Sequence, residues 1–254
     1  MSRYREIPPP APLAPWVACA WISERPGAAR ILPDGCADLV WTGSRLIVAG
    51  PATSAHIADD APGAPKVGVR FRVGAAGAAL GLPACELRDE NPQADEVVGP
   101  DLADRAGAGG DSPERLLMEL TALVAARLRS AAPVDPLVRA AARALAVPGA
   151  TVSSVAEHVA LSERQLRRRF EGAVGYGPKT LARVMRLQRF LTLATEDRAS
   201  TDGGLARLAA DAGYADQAHL TRDCTALTGV TPSVLLAERR GPAGEAELRT
   251  LAAR

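Results

Sequence analysis

The C-terminal third of this chain contains one pattern twice. Leu166, Phe170, Gly175 and Pro178 return as Leu220, Cys224, Gly229 and Pro232, each pair 54 positions apart. Upstream the offset falls to 53, Ala156 matching Ala209, so the second copy carries one extra residue between its two helices. Such a repeat makes each copy a small structural unit with its own start, turn and stop. Thr151 can cap a helix whose buried side carries Val152, Val155, Ala156 and Val159. Ser162-Glu163-Arg164-Gln165 then has the form of a capping box, fixing the start of a second helix on which Leu166 and Phe170, four apart, share the inner face. The second copy runs Leu205, Leu208, Ala209, Ala212, Gly213 and Tyr214, after which Asp216 is placed to cap the next helix. Each copy reads as helix, tight turn, helix.

A short capped helix held across a tight turn is a device for placing side chains in the DNA major groove. The net charge of +1 argues weakly for nucleic acid, but the charge is unevenly spread. From Thr151 to Thr192 there are eight Lys or Arg against three Glu, a balance of +5; from Leu193 to Arg240 there are five against seven acidic residues, a balance of −2. The two copies therefore cannot attract phosphate equally. Arginines on a groove-entering helix either bond guanine edges or clamp phosphates, and both roles stay open for Arg164, Arg167 and Arg168. The bland alternative is a solvated charged face, which the capped and repeated context disfavours. In the second copy Gln217, His219, Thr221 and Arg222 are the candidate DNA-facing residues. Asp223 and its acidic surroundings point to looser contact there. A lone histidine such as His219 is more often a surface polar group than a base, and it receives no catalytic role.

The residues Ser162-x3-Leu166-x3-Phe170-x4-Gly175-x2-Pro178, Arg183-x2-Arg186-Leu187, Ala209-x2-Ala212-Gly213-Tyr214 and Gly229-Val230-Thr231-Pro232-Ser233 occur in order. Together they resemble the DNA-binding domain of the AraC/XylS family of bacterial transcription regulators, over Ala156 to Arg240. The resemblance implies seven helices: two helix-turn-helix units joined by a long helix, about Pro178 to Ala194, that spaces them for successive major-groove segments. It also implies base-reading positions at Arg164, Arg167 and Arg168, and at Gln217, His219, Thr221 and Arg222. Arg183 and Arg186, near the start of the joining helix, are phosphate or structural contacts. The sequence departs from the family where Ala160 stands at a turn position often held by Gly, so a different turn geometry is expected. Leu220 and Cys224 replace the usual aromatics, and Leu236 stands where a basic residue is common.

The N-terminal half differs in character. Val67, Val69, Phe71 and Val73 alternate as in a half-buried strand, and Leu39-Val40-Trp41, Thr42-Gly43-Ser44, Leu46-Ile47-Val48 reads as strand, turn, strand. Gly74 to Leu82 has the composition of a short helix ended by Pro83. A Gly-rich break spans Gly107 to Pro113, and Ser112-Pro113-Glu114 opens a helix with a capping residue and Pro at its first position. Leu116, Leu117, Leu120, Leu123, Val124 and Leu128 form an apolar stripe along it, either closing the first domain or pairing with a second copy. Pro133 and Pro136 punctuate the next junction, and Leu137 to Val147 forms a further helix. The segment Ile31 to Trp41, with the Gly50-Pro51 turn and Val69-Arg70-Phe71, resembles an uncharacterised N-terminal domain of some AraC-like regulators, which names no ligand.

The expected fold class is an α+β, strand-rich N-terminal domain followed by an all-α, homeodomain-like C-terminal domain with two helix-turn-helix units. The expected divisions are 1–106 for an effector or dimerisation domain, 107–132 for a linker and amphipathic helix, 133–240 for the DNA-binding domain and 241–254 for a tail. No apolar run approaches the roughly 18 to 20 residues of a membrane span, and no signal-peptide core opens the chain, so a cytoplasmic, DNA-associated location is expected. Cys19, Cys36, Cys85 and Cys224 are scattered without a paired motif, which indicates neither zinc nor a disulfide framework. The weak effector candidates are Trp21, Cys36 and Trp41: tryptophans can line a pocket but more often fill a core, and Cys36 can be a reactive thiol but is more often buried packing. A thiol enzyme would need Cys36 with His56 as its base, and nothing in the sequence joins them. The reading is thus of a non-enzyme without cofactor or metal, with double-stranded DNA as partner. A small-molecule or redox signal, RNA polymerase and a second copy of the chain are further partners compatible with it.

Overall fold

The alternating segments of the N-terminal half become an antiparallel sheet because each buries one row of side chains and turns the other outward. The computed structural model describes residues 4–24, 29–58, 65–99, 112–196 and 204–240, with the side chain of Arg240 excepted. Strands β1 (Tyr4–Ile7), β2 (Val17–Ser23), β7 (Lys66–Phe71), β4 (Ala37–Trp41) and β5 (Leu46–Ala49) lie side by side in that order, every neighbouring pair antiparallel. β3 (Ala29–Ile31) and β6 (His56–Ala58) form a separate two-stranded ribbon. The expected hairpin is present: Trp41 pairs with Leu46, and the Thr42 N–H donates to the Arg45 carbonyl across Gly43, whose φ is 96°.

One face of the sheet carries Val17, Ala20, Ile22, Leu39, Val48, Val67, Val69 and Phe71, and three helices cover it: α1 (Ala76–Leu80), α2 (Ala94–Val98) and α3 (Pro113–Leu128). The α3 stripe, Leu116, Leu117, Leu120, Leu123, Val124 and Leu128, is buried in that same cluster. Of the two roles open to this stripe, the structure therefore shows it closing the sheet of its own chain. Ser112 caps α3 by accepting from the Arg115 N–H, with Pro113 in the first turn, as expected. The opposite face holds Trp21 stacked over Gly68, where a Cβ would come within 2.3 Å of the indole. Beside it, Arg70 lies between Asp38, Asp34 and Glu6, with its Nε 2.9 Å from Asp38. Burial alone would lower the Arg70 pKa, but the Asp38 and Asp34 carboxylates more than offset it and hold the guanidinium well above its ordinary value.

The C-terminal part is entirely helical among the described residues. Its helices are α4 (Pro136–Leu145), α5 (Val152–His158), α6 (Glu163–Val174), α7 (Pro178–Glu196), α8 (Leu205–Ala212), α9 (Gln217–Thr228) and α10 (Pro232–Arg240), which makes the seven that the family resemblance implies. One core joins α4 to α6 around Val138, Ala156, Leu166 and Phe170; another joins α7 to α10 around Phe190, Ala209, Leu220 and Cys224. The fold is thus strand-rich in its N-terminal part and helical in its C-terminal part. Among the described residues, no helix is long and apolar enough to cross a membrane, and no group of three His, Cys, Asp or Glu side chains is arranged to hold a metal. Residues 107–111 of the Gly-rich break and the tail 241–254 lie outside the described residues.

The two halves meet closely. The loop before β4 presses on α7: a Cβ at Gly35, whose φ is 86°, would stand 3.0 Å from Leu181, and the Gln188 side-chain amide donates to the Pro33 carbonyl at 2.6 Å. On α1, a Cβ at Gly77 would stand 2.5 Å from the Gly172 carbonyl oxygen of α6. The β3–β6 ribbon reaches the second helical core, where Leu32 is buried, the Ala55 N–H donates to the Leu227 carbonyl and Arg30 pairs with Glu238 at 3.0 Å.

Candidate nucleic-acid interface

The repeated residues occupy the same structural positions in both copies. Leu166 and Leu220 are fully buried at the equivalent turn of α6 and α9, as are Phe170 and Cys224 one turn later. Gly175 and Gly229 end those helices with φ of 97° and 76°, a conformation open to glycine because it lacks a Cβ, and Pro178 and Pro232 begin the next helices. Phe170 fills its core with a ring, whereas the smaller Cys224 thiol lies against Thr228 and the Val230 carbonyl, and burial pushes its pKa up.

In the first unit the capping box forms as the sequence predicts. The Gln165 N–H donates to Ser162 Oγ at 3.2 Å, and the Ser162 N–H donates to Gln165 Oε1 at 2.9 Å. Thr151 caps α5 in a reciprocal arrangement with Ser154. Ala160, in the turn between α5 and α6, has a φ of 54°. It holds the left-handed conformation that a glycine would adopt without strain, so the departure in sequence is absorbed as backbone strain and not as a different turn.

Arg164, Arg167 and Arg168 are all exposed on α6. Arg167 forms a surface pair with Glu171 at 2.9 Å, one turn along the helix. Such an exposed pair contributes little to stability. Arg169, on another side of α6, is engaged by Asp135, whose carboxylate also caps α4 through the Leu137 N–H. Two cations that sequence reasoning did not assign to the site join this surface. Arg88, at the end of the 3-10 turn Ala84–Leu87, and Lys179 on α7 line one groove with Arg164 and Arg167. Arg88 had no signal in the sequence, since it lies in the strand-rich half and reaches the groove only through packing of that turn against α6.

The second unit is arranged differently. Gln217 and Arg222 are exposed on α9, Thr221 is half-buried and donates to the Gln217 carbonyl, and His219 is half-buried. His219 meets the Tyr214 ring edge-on at 5.2 Å, and its Nε2 lies 3.6 Å from Asp223. Asp223 itself is buried, 3.0 Å from Arg183 and 3.5 Å from Arg186, while the Arg186 guanidinium stands 5.4 Å above the Tyr214 ring. Arg183 and Arg186 thus link α7 to α9 through Asp223, and Arg183 also lines the groove that holds Arg88, Lys179, Arg164 and Arg167. Asp223, read from sequence as an acid that loosens contact, is the centre of that link.

The weak effector candidates separate. Trp21 is buried against Gly68, and Trp41 is half-buried against the main sheet core. Cys36 is buried at the head of β4, where its N–H donates to Asp34, and it lines a cavity between the two halves. His56 is exposed on β6 of the ribbon, so the pair a thiol enzyme requires stands on two different sheets.

Residues 155–238 match the model of a helix-turn-helix domain family, and residues 5–93 match that of a domain of unknown function, DUF6597. Among solved structures the chain is similar to ToxT from Vibrio cholerae O395, at 11% identity over 84% of this chain and 96% of that one, with a TM-score of 0.43. It is also similar to an apo ToxT variant from Vibrio cholerae strain SCE256, at 12% identity over 93% and 96%, with a TM-score of 0.41. No curated protein matches the chain.

Proposed function

We propose that this chain is a DNA-binding transcription regulator of the AraC type that reads a specific promoter with two unequal units; the match of residues 155–238 to a helix-turn-helix domain family, behind a domain of unknown function, supports the reading. The observation that carries the reading is the capped α6 with Arg164, Arg167 and Arg168 exposed on it, against an α9 whose neighbouring charges are spent on an internal latch. The first unit makes the main contact, through base edges or phosphates, and Arg88 and Lys179 extend its phosphate-facing surface. The second unit reads with Gln217, Thr221 and Arg222, while His219 supports α9 from beside Tyr214. The reader occupies residues 133–240. The amphipathic helix of 107–132 belongs functionally with the strand-rich half, which receives a small-molecule signal. Any effect on transcription follows from how differently that signal stabilises two arrangements of the halves.

Selection of bound fragments from random DNA, followed by titration at fixed salt, tests this. A single enriched motif and salt-sensitive binding are expected, and failure to enrich any sequence would overturn the reading. Arg168→Ala should weaken binding to the selected site more than Arg222→Ala; equal losses would rule out a dominant first unit. If Arg164 or Arg168 reads a base, its replacement should relax preference at one position by about 1 to 3 kcal/mol. Uniform weakening on all sequences would make it a phosphate contact.

A further inference from the structure

The C-terminal ends of both reading helices rest on one short segment of the strand-rich half, residues 50–55. α6 stops at Gly175, where an added Cβ would run into the Pro51 ring. Near the end of α9, the Leu227 carbonyl accepts from the Ala55 N–H at 2.7 Å. Four residues cover at most about 14 Å, so the two helix ends are tied at short reach. The segment is itself held fast. Gly50 has no room for a side chain, since its Cβ would meet the Leu87 carbonyl oxygen, and its N–H donates to the Glu90 carbonyl at 3.0 Å. Asp89 grips Thr53 twice, accepting from its N–H at 2.6 Å and from its hydroxyl at 2.7 Å, while the Asp89 N–H donates to the Pro51 carbonyl at 3.3 Å. It does so at a φ of 62°, a left-handed conformation that is costly for a residue with a Cβ and persists only where its surroundings hold it. Beside this segment, Arg30 of the ribbon donates to the Thr228 carbonyl at 2.9 Å and pairs with Glu238 of α10 at 3.0 Å.

We propose that residues 50–55, with Asp89 behind them and Arg30 beside them, form a brace that sets the placement of α6 relative to α9. The strand-rich half thereby determines which spacing between the two halves of a promoter site the protein accepts. Pro51, Ala55, Asp89 and Arg30 are positioning residues, acting through the helix ends and not on DNA. α7 and the Asp223 link hold the two units from within; the brace holds them from outside. The lever is long enough to matter. Each reading helix has 12 residues and carries Arg164 or Gln217 in its first turn. Such a helix is about 18 Å long, so a tilt of about 10° at its C-terminal end moves that first turn by about 3 Å. The step from one base pair to the next is about 3.4 Å. This inference rests on the two-unit regulator reading and gives the strand-rich half a part in site selection that needs no ligand.

The test uses the full chain, the promoter site obtained by selection, and derivatives with a base pair inserted or removed between its two halves. Wild type should bind the altered sites about tenfold or more weakly than the selected one, a loss within the range of coupling between linked sites. Arg30→Ala and Asp89→Ala, each cutting one end of the brace, should reduce that discrimination to about threefold or less, below that range. Binding to a fragment that carries only the first half should stay unchanged in both. Asp89→Asn should keep the wild-type discrimination, because asparagine tolerates the left-handed conformation and can still bond both Thr53 groups. Arg30→Ala removes a partly exposed pair at little cost in stability, so it tests the brace even where Asp89→Ala fails to fold. The proposal is overturned if wild type tolerates the altered spacings, if the folded alanine variants discriminate as wild type does, or if they weaken binding equally on every site. An enriched motif bound without regard to spacing rejects the brace alone; enrichment of no sequence rejects the regulator reading and the brace with it.

Discussion

At the residue scale, single side chains do work that their identity does not announce. Ala160 holds a left-handed turn at a strain cost of about 1 kcal/mol. Ala160→Gly should therefore raise stability by a few tenths to about 1 kcal/mol, after the added freedom of the unfolded chain is subtracted, with DNA binding unchanged; chemical denaturation measures it. Asp223 shows the opposite case. Although acidic and next to Arg222, it faces Arg183, Arg186 and His219 from a buried position. Asp223→Ala should cost about 1 to 3 kcal/mol of stability, because two partly buried guanidinium groups lose their counterion. It should also weaken the second half of the bound motif in footprinting more than the first. A gain in affinity on removal of the negative charge would show instead that Asp223 acts as a repulsive surface group.

At the element scale, the local signals were legible and the partners of each element were not. Ser162 and Gln165 announce the start of α6 because a capping box is a contact within four residues of sequence. Ser162→Ala should lower stability by about 1 kcal/mol and weaken DNA binding with it, since the turn from which Arg164 projects then frays. The α3 stripe was equally legible as an apolar face, but periodicity cannot say which surface covers it. The structure puts Leu120 in the sheet core at 1% exposure. Leu120→Ala should cost about 2 to 5 kcal/mol in equilibrium unfolding while the chain's state of association stays the same. A change in sedimentation without loss of stability would indicate that α3 serves a dimer instead. The long α7, which the family resemblance implies at about Pro178 to Ala194, runs from Pro178 to Glu196.

At the scale of the whole molecule, the halves are joined by close backbone approach as much as by side chains. Gly77 lies against the Gly172 carbonyl, and Gly35 lies against Leu181 and Met185. Gly77→Val should push α1 off α6 and uncouple the halves. Calorimetry would then resolve two unfolding transitions in place of one. A single transition in the variant would mean that the ribbon contacts at Arg30 and Ala55 suffice to hold the halves together. The groove containing Arg88 and the cavity lined by Cys36 both belong to this scale, since each is lined from both halves.

The sequence by itself determined the repeat, the caps, the apolar faces, the alternating strands and the uneven charge of the two copies. All of these depend on residues close together in the chain, where geometry follows from helical or strand spacing. Tertiary structure alone decided which arginines stay exposed and which are consumed, that Asp223 is a latch, and that Trp21 and Trp41 pack while Cys36 faces a cavity. Those outcomes depend on pairs far apart in sequence, such as Arg183 with Asp223 or Gln188 with Pro33. A guanidinium has the same composition and helical position whether it meets water, a phosphate or a buried carboxylate, so its role is fixed only when the chain brings its neighbour to it.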